Sequence, residues 1–436
     1  MASKAQITPA QIRDAILAQR DFATGFFADL AADSTDPAGG ITRDTYGRGE
    51  NHGHAVMRAA ARDSGLDVTV DAAGNTYARW RAAGPGQTVL LGSHLDSVPS
   101  GGNFDGAAGA LAGLVCIRAL RALGLVPRLD ICAMGIRAEE SVWFQTSYIG
   151  SRAALATLPA ETYDTARRID TGRTLGEHMA DCGCDVAALR GGARALDPAT
   201  LAAFIELHIE QAPSLVKLGR AMASCTAVPG NFRYPDVRII GEQGHVGTPR
   251  RFRRDAAMAG AELAARMDRF WAEHEAAGTP IAITFGRFHT DDRIHGLTSV
   301  PGLFHFSIDL RAYDEEILAQ AEAFFLAQCS QIEAERQVRI ELGPRKSAPV
   351  GHASPEIRAQ LQAAAGWLGQ ELMTMGSPAS HDAAAFAAAG VPMAMLFIRN
   401  ANGSHNPDEA MEIDDFLEGC TLIAAHLARQ YASVGT

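Results

Sequence analysis

Two spacings of apolar residues run along this chain. From Ala10 to Leu30, and again from His54 to Gly65, apolar side chains recur every three to four positions, which predicts amphipathic helices. Thr88-Val89-Leu90-Leu91 is instead a short apolar run closed by Gly92, the pattern of a parallel strand buried on both faces. Gly106 to Leu123, rich in Ala and Leu, predicts the helix that follows it. Leu129 to Ile136, Ala203 to Ile209 and Met393 to Ile398 read as further buried strands. Strands alternating with helices in this way predict an α/β fold.

The middle of the chain has another order. Val237 to Ile240, Ile281 to Phe288, Leu303 to Leu310 and Gln337 to Leu342 predict strands, with helices at Asp255 to Glu275 and Asp314 to Glu335. Two helices and about four strands arranged like this suggest a compact α+β layer inserted into the first domain. The expected division is residues 1–226 with 343–436 for one domain and 227–342 for the other.

Composition narrows the class. With 436 residues, 47% hydrophobic and 20% charged, the chain can bury a large core and divide into two domains. A formal charge of −11 and the lack of a basic block interleaved with aromatics exclude a nucleic-acid partner. Met1-Ala2-Ser3-Lys4 leads into a polar stretch, and no apolar run reaches membrane length, so a cytoplasmic protein without a membrane partner is expected. The seven cysteines are scattered, and Cys182-Gly183-Cys184 lacks the second pair of a zinc knuckle, so they read as reduced thiols.

Histidines and acids cluster in short polar segments, several at strand ends: Gly92-Ser93-His94-Leu95-Asp96, Gly102-Asn103-Phe104-Asp105-Gly106, Ala138-Glu139-Glu140, Glu206-Leu207-His208-Ile209-Glu210 and Ser404-His405-Asn406-Pro407. In open α/β sheets ligands sit outside the carboxyl ends of the strands, which is where these segments fall. Zinc and manganese take imidazole nitrogen and carboxylate oxygen together, and one carboxylate can bridge two ions. Two cations bridged in this way lower the pKa of the water between them. Adjacent Glu139 and Glu140 could divide the remaining labour, one on a metal and one on the water's proton. Asp96, two residues beyond His94, could accept the far imidazole N–H and fix its tautomer. The pattern is that of a two-metal hydrolase.

These segments resemble the metal-dependent hydantoinase/carbamoylase-type amidases, a family that includes N-carbamoyl-L-amino-acid hydrolases and allantoate amidohydrolases and is related to the aminoacylase and carboxypeptidase G2 metallopeptidases. The resemblance is most specific in GSHLDSVPSGGNFDGAAGALAG (Gly92 to Gly113), ELHIEQAP (Glu206 to Pro213) and SHNPDE (Ser404 to Glu409). It implies a di-metal exopeptidase-like catalytic domain, with a mixed sheet flanked by helices, and an inserted α+β dimerisation or lid domain. It also implies two divalent ions per chain, zinc or manganese, with cobalt or nickel compatible. Asp105 would bridge them, His94 and His208 completing one ion and Glu140 and His405 the other, with Glu139 as general base. His245 would stabilise the oxyanion from across a homodimer interface, Arg311 would pair with a substrate carboxylate, and Gln211 and His381 would lie at the substrate pocket. His289, His295 and His352 match no role and read as structural.

Departures from the family pattern fall in the recognition shell. Trp143 stands where an arginine is usual, Thr298 where an asparagine contacts substrate, and Ser380 where glycine is usual; the stretch His245 to Pro249 is one residue short. An indole in place of a guanidinium near the metals would remove a charge, offer a stacking face and disfavour small polar ureido acids such as allantoate. The reading that follows is hydrolysis of a linear C–N bond in a small N-carbamoyl or other N-acyl substrate bearing a carboxylate. An N-acyl-amino-acid or dipeptide hydrolase is the alternative, and a non-catalytic binding protein is disfavoured by the intact Glu139.

Overall fold

The computed structural model describes residues 7–84 and 86–435. It forms two units, one made of the residues up to Val228 and from His352 onward, the other of Pro229–Gly351.

The first unit is organised by a mixed sheet. Its strands are β1 (Asp67–Val70), β2 (Thr76–Trp80), β3 (Thr88–His94), β4 (Asp130–Ile136), β5 (Leu201–Ile209), β6 (Met222–Cys225), β7 (Met373–Met375) and β8 (Met393–Ile398). Their order is β1-β2-β4-β3-β5-β8-β6-β7. The central strands β4, β3, β5 and β8 are parallel, with β2 and β6 running antiparallel on either side. All four central carboxyl ends therefore open onto one edge. Successive side chains of β3 enter opposite cores: Val89 and Leu91 pack with the helices Ala107–Ala122 and Ile413–Gln430, while Leu90 joins Phe204, Phe386 and Phe397 on the other face. Burial on both faces accounts for the unbroken apolar runs.

Two sequence expectations shift here. The strand does not end at Gly92 but continues to His94. Gly92 marks a close approach, since a Cβ there would lie 2.3 Å from the Met134 carbonyl oxygen. The stretch from Ala10 to Leu30 is two helices, Pro9–Leu17 and Arg20–Ala32, because the Ala18 N–H turns back to the carbonyls of Asp14 and Ile16. Periodicity hid the break because Ile12, Ile16, Ala23, Phe26, Phe27 and Leu30 all feed one core.

In the second unit an antiparallel sheet carries the strands Ile281–Thr284, Leu303–Ala312, Gly230–Ile240 and Arg339–Glu341 in that order. Leu303–Ala312 alternates residue by residue: Phe304, Phe306, Ile308 and Leu310 pack with Leu263, Met267 and Phe325 of the helices Ala256–Ala276 and Glu315–Arg336. The expected strand Ile281 to Phe288 stops at Thr284 and resumes at Phe288–Thr290. The interruption faces an irregularity between Phe306 and Ile308 of its partner, where Arg287 and Ser307 exchange hydrogen bonds. The last expected strand is only Arg339–Glu341, because Gln337 leaves the preceding helix in a left-handed conformation. Among the described residues no helix is long and apolar enough to cross a membrane.

Candidate metal centre

The carboxyl ends of the central strands bring the strand-end histidines and acids together. His94 is the last residue of β3, His208 the penultimate residue of β5, and Glu139 and Glu140 follow β4. Asp105 precedes the helix Ala107–Ala122, and His405 lies in the loop after β8. Two sets of potential ligand atoms, each within 4.8 Å of one another, share Asp105: His94–Asp105–His208 and Asp105–Glu140–His405. Asp105 Oδ1 lies 3.2 Å from His208 Nε2 and 3.6 Å from His94 Nε2. Its Oδ2 lies 3.3 Å from His405 Nε2, which is 3.6 Å from Glu140 Oε1. Glu139 falls in a further overlapping set with His94 and Glu140, but it is Glu140 that groups with His405.

Neighbouring groups orient the strand-borne candidate ligands. The His94 Nδ1 lies 3.1 Å from the Asp96 carbonyl and 3.4 Å from Asp96 Oδ1. Asp96 does more than the sequence implied: its two carboxylate oxygens accept the backbone N–H groups of Glu139 and Glu140, each at 3.1 Å. One buried carboxylate thus ties the first histidine to the acid pair. The His208 Nδ1 faces the Ile209 carbonyl at 2.9 Å, which turns its Nε2 toward Asp105 and the Gly106 N–H. Gly106 has φ +66°, and a Cβ there would sit 2.5 Å from the His94 ring. Glu50 accepts from the Ala138 N–H and pairs with Arg137, holding Ala138 at φ +59° just before the acids.

The electrostatics suit cations. Burial acts to raise the Asp105 carboxyl, yet the imidazoles of His208, His405 and His94 beside it hold it well below the usual carboxylate range. The Asp105 hydrogen bond raises His405 to about 9. Burial pushes Glu140 up to about 7 and Glu139 well above the usual range, the neighbouring acids adding to both and His94 opposing. Positive charge is thus favoured at the atoms around Asp105. A divalent cation between the same atoms supplies that charge directly. The residues fit that role: Asp105 Oδ1 is buried and makes no well-aligned hydrogen bond despite two close imidazoles, as expected of donors that converge on a shared point.

The other expected residues divide by unit. Gln211, at φ +63°, donates to Asp105 Oδ2 at 2.8 Å and so turns into the centre. His381 is buried with its ring 4.3 Å from that of His208, and burial holds it well below the usual histidine range. Asp382 next to it accepts from Ser151. Ser380 is half-buried and does not take the left-handed conformation that would demand glycine. Trp143 does not present the expected stacking face. Its ring is 5% exposed, its N–H donates to the Ser97 carbonyl, and the Arg168 guanidinium lies 4.6 Å over it. The stacking part of the ground for disfavouring small ureido acids is therefore removed.

In the second unit His245 is exposed, and its Nδ1 accepts from the Gly247 N–H, leaving Nε2–H as a donor. Thr298 is exposed and its carbonyl accepts from the Val246 N–H. The Arg311 guanidinium forks onto Asp309 at 3.0 and 3.3 Å. His289 stacks on His305 across neighbouring strands, and His295 bonds Thr290.

Two supporting acids escaped the sequence reading. Glu206 accepts from Ser93 Oγ and the Ala383 N–H beneath the histidines. Glu409, inside the SHNPDE segment, accepts from the N–H groups of Phe104 and Asp105. An acid four residues after His405 was the only signal for the second.

Comparison with known proteins places the geometry in context. The model of peptidase family M20/M25/M40 matches residues 90–429. An N-carbamoyl-L-amino acid amidohydrolase of Geobacillus stearothermophilus is 32% identical over 399 residues, covering 91% of this chain and 94% of that one. An allantoate amidohydrolase of Escherichia coli is 31% identical, covering 91% of this chain and 95% of its own length. Among solved structures, a hydantoinase/carbamoylase family amidase from Burkholderia ambifaria superposes with a TM-score of 0.79 at 30% identity, covering 95% of this chain and 98% of that chain.

Proposed function

The chain belongs to peptidase family M20/M25/M40 and is a hydantoinase/carbamoylase-type amidohydrolase, and from this premise we propose that it hydrolyses a linear C–N bond of a small N-carbamoyl substrate bearing a carboxylate. The observation that carries this reading is Asp105, one carboxylate standing between two ligand sets. His94, Asp105 and His208 would hold one divalent cation, and Asp105, Glu140 and His405 the other. Zinc or manganese suits this mixed nitrogen and oxygen set. Such a pair, when bound, makes water more acidic and polarises the scissile carbonyl.

The remaining steps belong to side chains of this protein. Glu139 takes the proton of the attacking water and returns it to the leaving nitrogen as the tetrahedral intermediate collapses. Asp96 fixes its backbone beside His94 and Glu140. His245, in the family's manner, donates its Nε2–H to the substrate oxygen from the partner subunit of a homodimer, and Arg311 meets the substrate carboxylate. Arg311 already faces Asp309, so the substrate anion shares or replaces that pairing. Gln211, Thr298, Ser380 and His381 are proposed to line the pocket.

The test is a single screen of manganese- or zinc-loaded enzyme against paired N-carbamoyl and N-acyl amino acids, reading ammonia and free amine, with Glu139→Gln alongside. Ammonia release from the carbamoyl series is expected, and Glu139→Gln should lose roughly 10²–10⁴-fold in kcat while keeping its metal. Amine release from the acyl series without ammonia from the carbamoyl series would move the assignment to an N-acyl-amino-acid or dipeptide hydrolase. Metal uptake with no turnover of either series would leave a binding protein.

A further inference from the structure

The loop carrying His405 is well tied to itself. Asn400 Nδ2 reaches the Gly403 carbonyl, Asn402 Nδ2 the Asp408 carbonyl and Asn406 Nδ2 the Asn402 carbonyl, while Ala401 bridges to Ala410. None of these bonds fixes the loop against the segment that carries Asp105. Glu409 does. It is buried, and its Oε1 accepts from the backbone N–H groups of Phe104 at 3.0 Å and Asp105 at 3.2 Å. Its Oε2 accepts from Ser404 Oγ at 2.6 Å, and the same hydroxyl lies 2.7 Å from Asp105 Oδ2. The seat for this carboxylate requires glycine at 102, because a Cβ there would lie 2.1 Å from Glu409 Cδ and Oε1.

The two ligand sets are therefore held by different means. His94 and His208 are oriented by groups one or two residues along the chain, Asp96 and the Ile209 carbonyl. His405 has φ +61°, half of its side chain is exposed, and its distance to Asp105 depends on how two loops far apart in sequence are joined. We propose that Glu409 is a positioning residue that joins the Asp105 segment to the His405 loop and so sets the affinity of the Asp105–Glu140–His405 site alone. The inference rests on the two-ion reading above. A carboxylate accepting two backbone N–H bonds and a hydroxyl is a rigid clamp, and loss of a group that orients ligands typically costs 10–100-fold in metal affinity.

The experiment is competition of the full-length protein with a chromophoric chelator for zinc, comparing wild type with Glu409→Ala, Glu409→Gln and Gly102→Ala. Wild type should show two binding steps. Glu409→Ala should keep one at wild-type affinity and weaken the other about 10–100-fold. Glu409→Gln should recover most of that loss, because an amide oxygen still accepts both backbone N–H bonds while its NH₂ donates to Ser404. Gly102→Ala, which displaces the carboxylate without altering it, should reproduce the loss of the weaker step, and circular dichroism identifies any variant that has not folded. If Glu409→Ala does not fold, the contrast between Glu409→Gln and Gly102→Ala carries the test. Two unchanged steps, two equally weakened steps, or a glutamine variant as poor as the alanine one would overturn the proposal. A wild type without two binding steps would instead overturn the two-ion reading.

Discussion

The two sets of candidate ligands that meet at Asp105 are built on opposite principles. His94 and His208 are supplied by β3 and β5, are almost fully buried, and have their far nitrogens set by groups one or two residues away. His405 comes from a loop and its side chain is 51% exposed. The difference teaches where precision comes from in this centre. A ligand on a strand inherits its position from the sheet, whereas a ligand on a loop needs a separate tie. The less anchored histidine lies on the side of the centre that is open to solvent.

The most severe way to break the comparison is to remove what the two sets share. Asp105→Ala should reduce bound metal from about two ions to nearly none and abolish turnover, because one carboxylate serves both sites. Metal analysis of the purified variant checks this, and retention of one ion would mean that the sites are independent.

A sharper contrast comes from truncating one histidine of each set and following urea unfolding of the metal-free protein. His208→Ala removes a buried partner of a buried carboxylate and should cost about 3–5 kcal/mol. His405→Ala removes a half-exposed partner and should stay within about 1 kcal/mol. Equal losses would erase the distinction between strand-held and loop-held ligands.

The smallest effect calibrates burial itself. His426, in the helix Ile413–Gln430, is as buried as His208, but neither ring nitrogen has a hydrogen-bond partner, and burial lowers it to about 4. A histidine depressed on folding adds stability above its unfolded value near 6.5, and that contribution is lost as pH falls toward 4. The loss is about 3 kcal/mol at most from a shift of this size. His426→Leu should flatten the fall in unfolding free energy between about pH 6.5 and 4. An unchanged pH profile would show that burial alone does not govern this ring.

What could be read from the sequence follows the same division. The central strands were legible because burial on both faces leaves unbroken apolar runs, and the ligands were legible because polar residues close those runs. The edge strand β1 was not, since three of its four residues are exposed and carry no apolar alternation. The helices Pro355–Leu368 and Ile413–Gln430 were also missed, although much of the latter is buried. The clamp by Glu409 has no local signature, because its partners at Phe104 and Asp105 lie some three hundred residues away along the chain. Trp143 misled for a related reason. Its type suggested an exposed platform, and only the fold supplies Arg168 to cover it.

Gly106 carries a consequence for how this protein can change over generations. It has no chemistry of its own, yet its φ of +66° and the His94 ring 2.5 Å from any added Cβ close the position to every other amino acid. Each missense change reachable from a glycine codon adds that carbon. A lineage therefore has no neutral amino-acid replacement at this position, and a deep mutational scan should rank it with the candidate metal ligands. Exposed positions such as Thr298 can vary while this silent glycine stays fixed, shut against any side chain that would push the first histidine out of line.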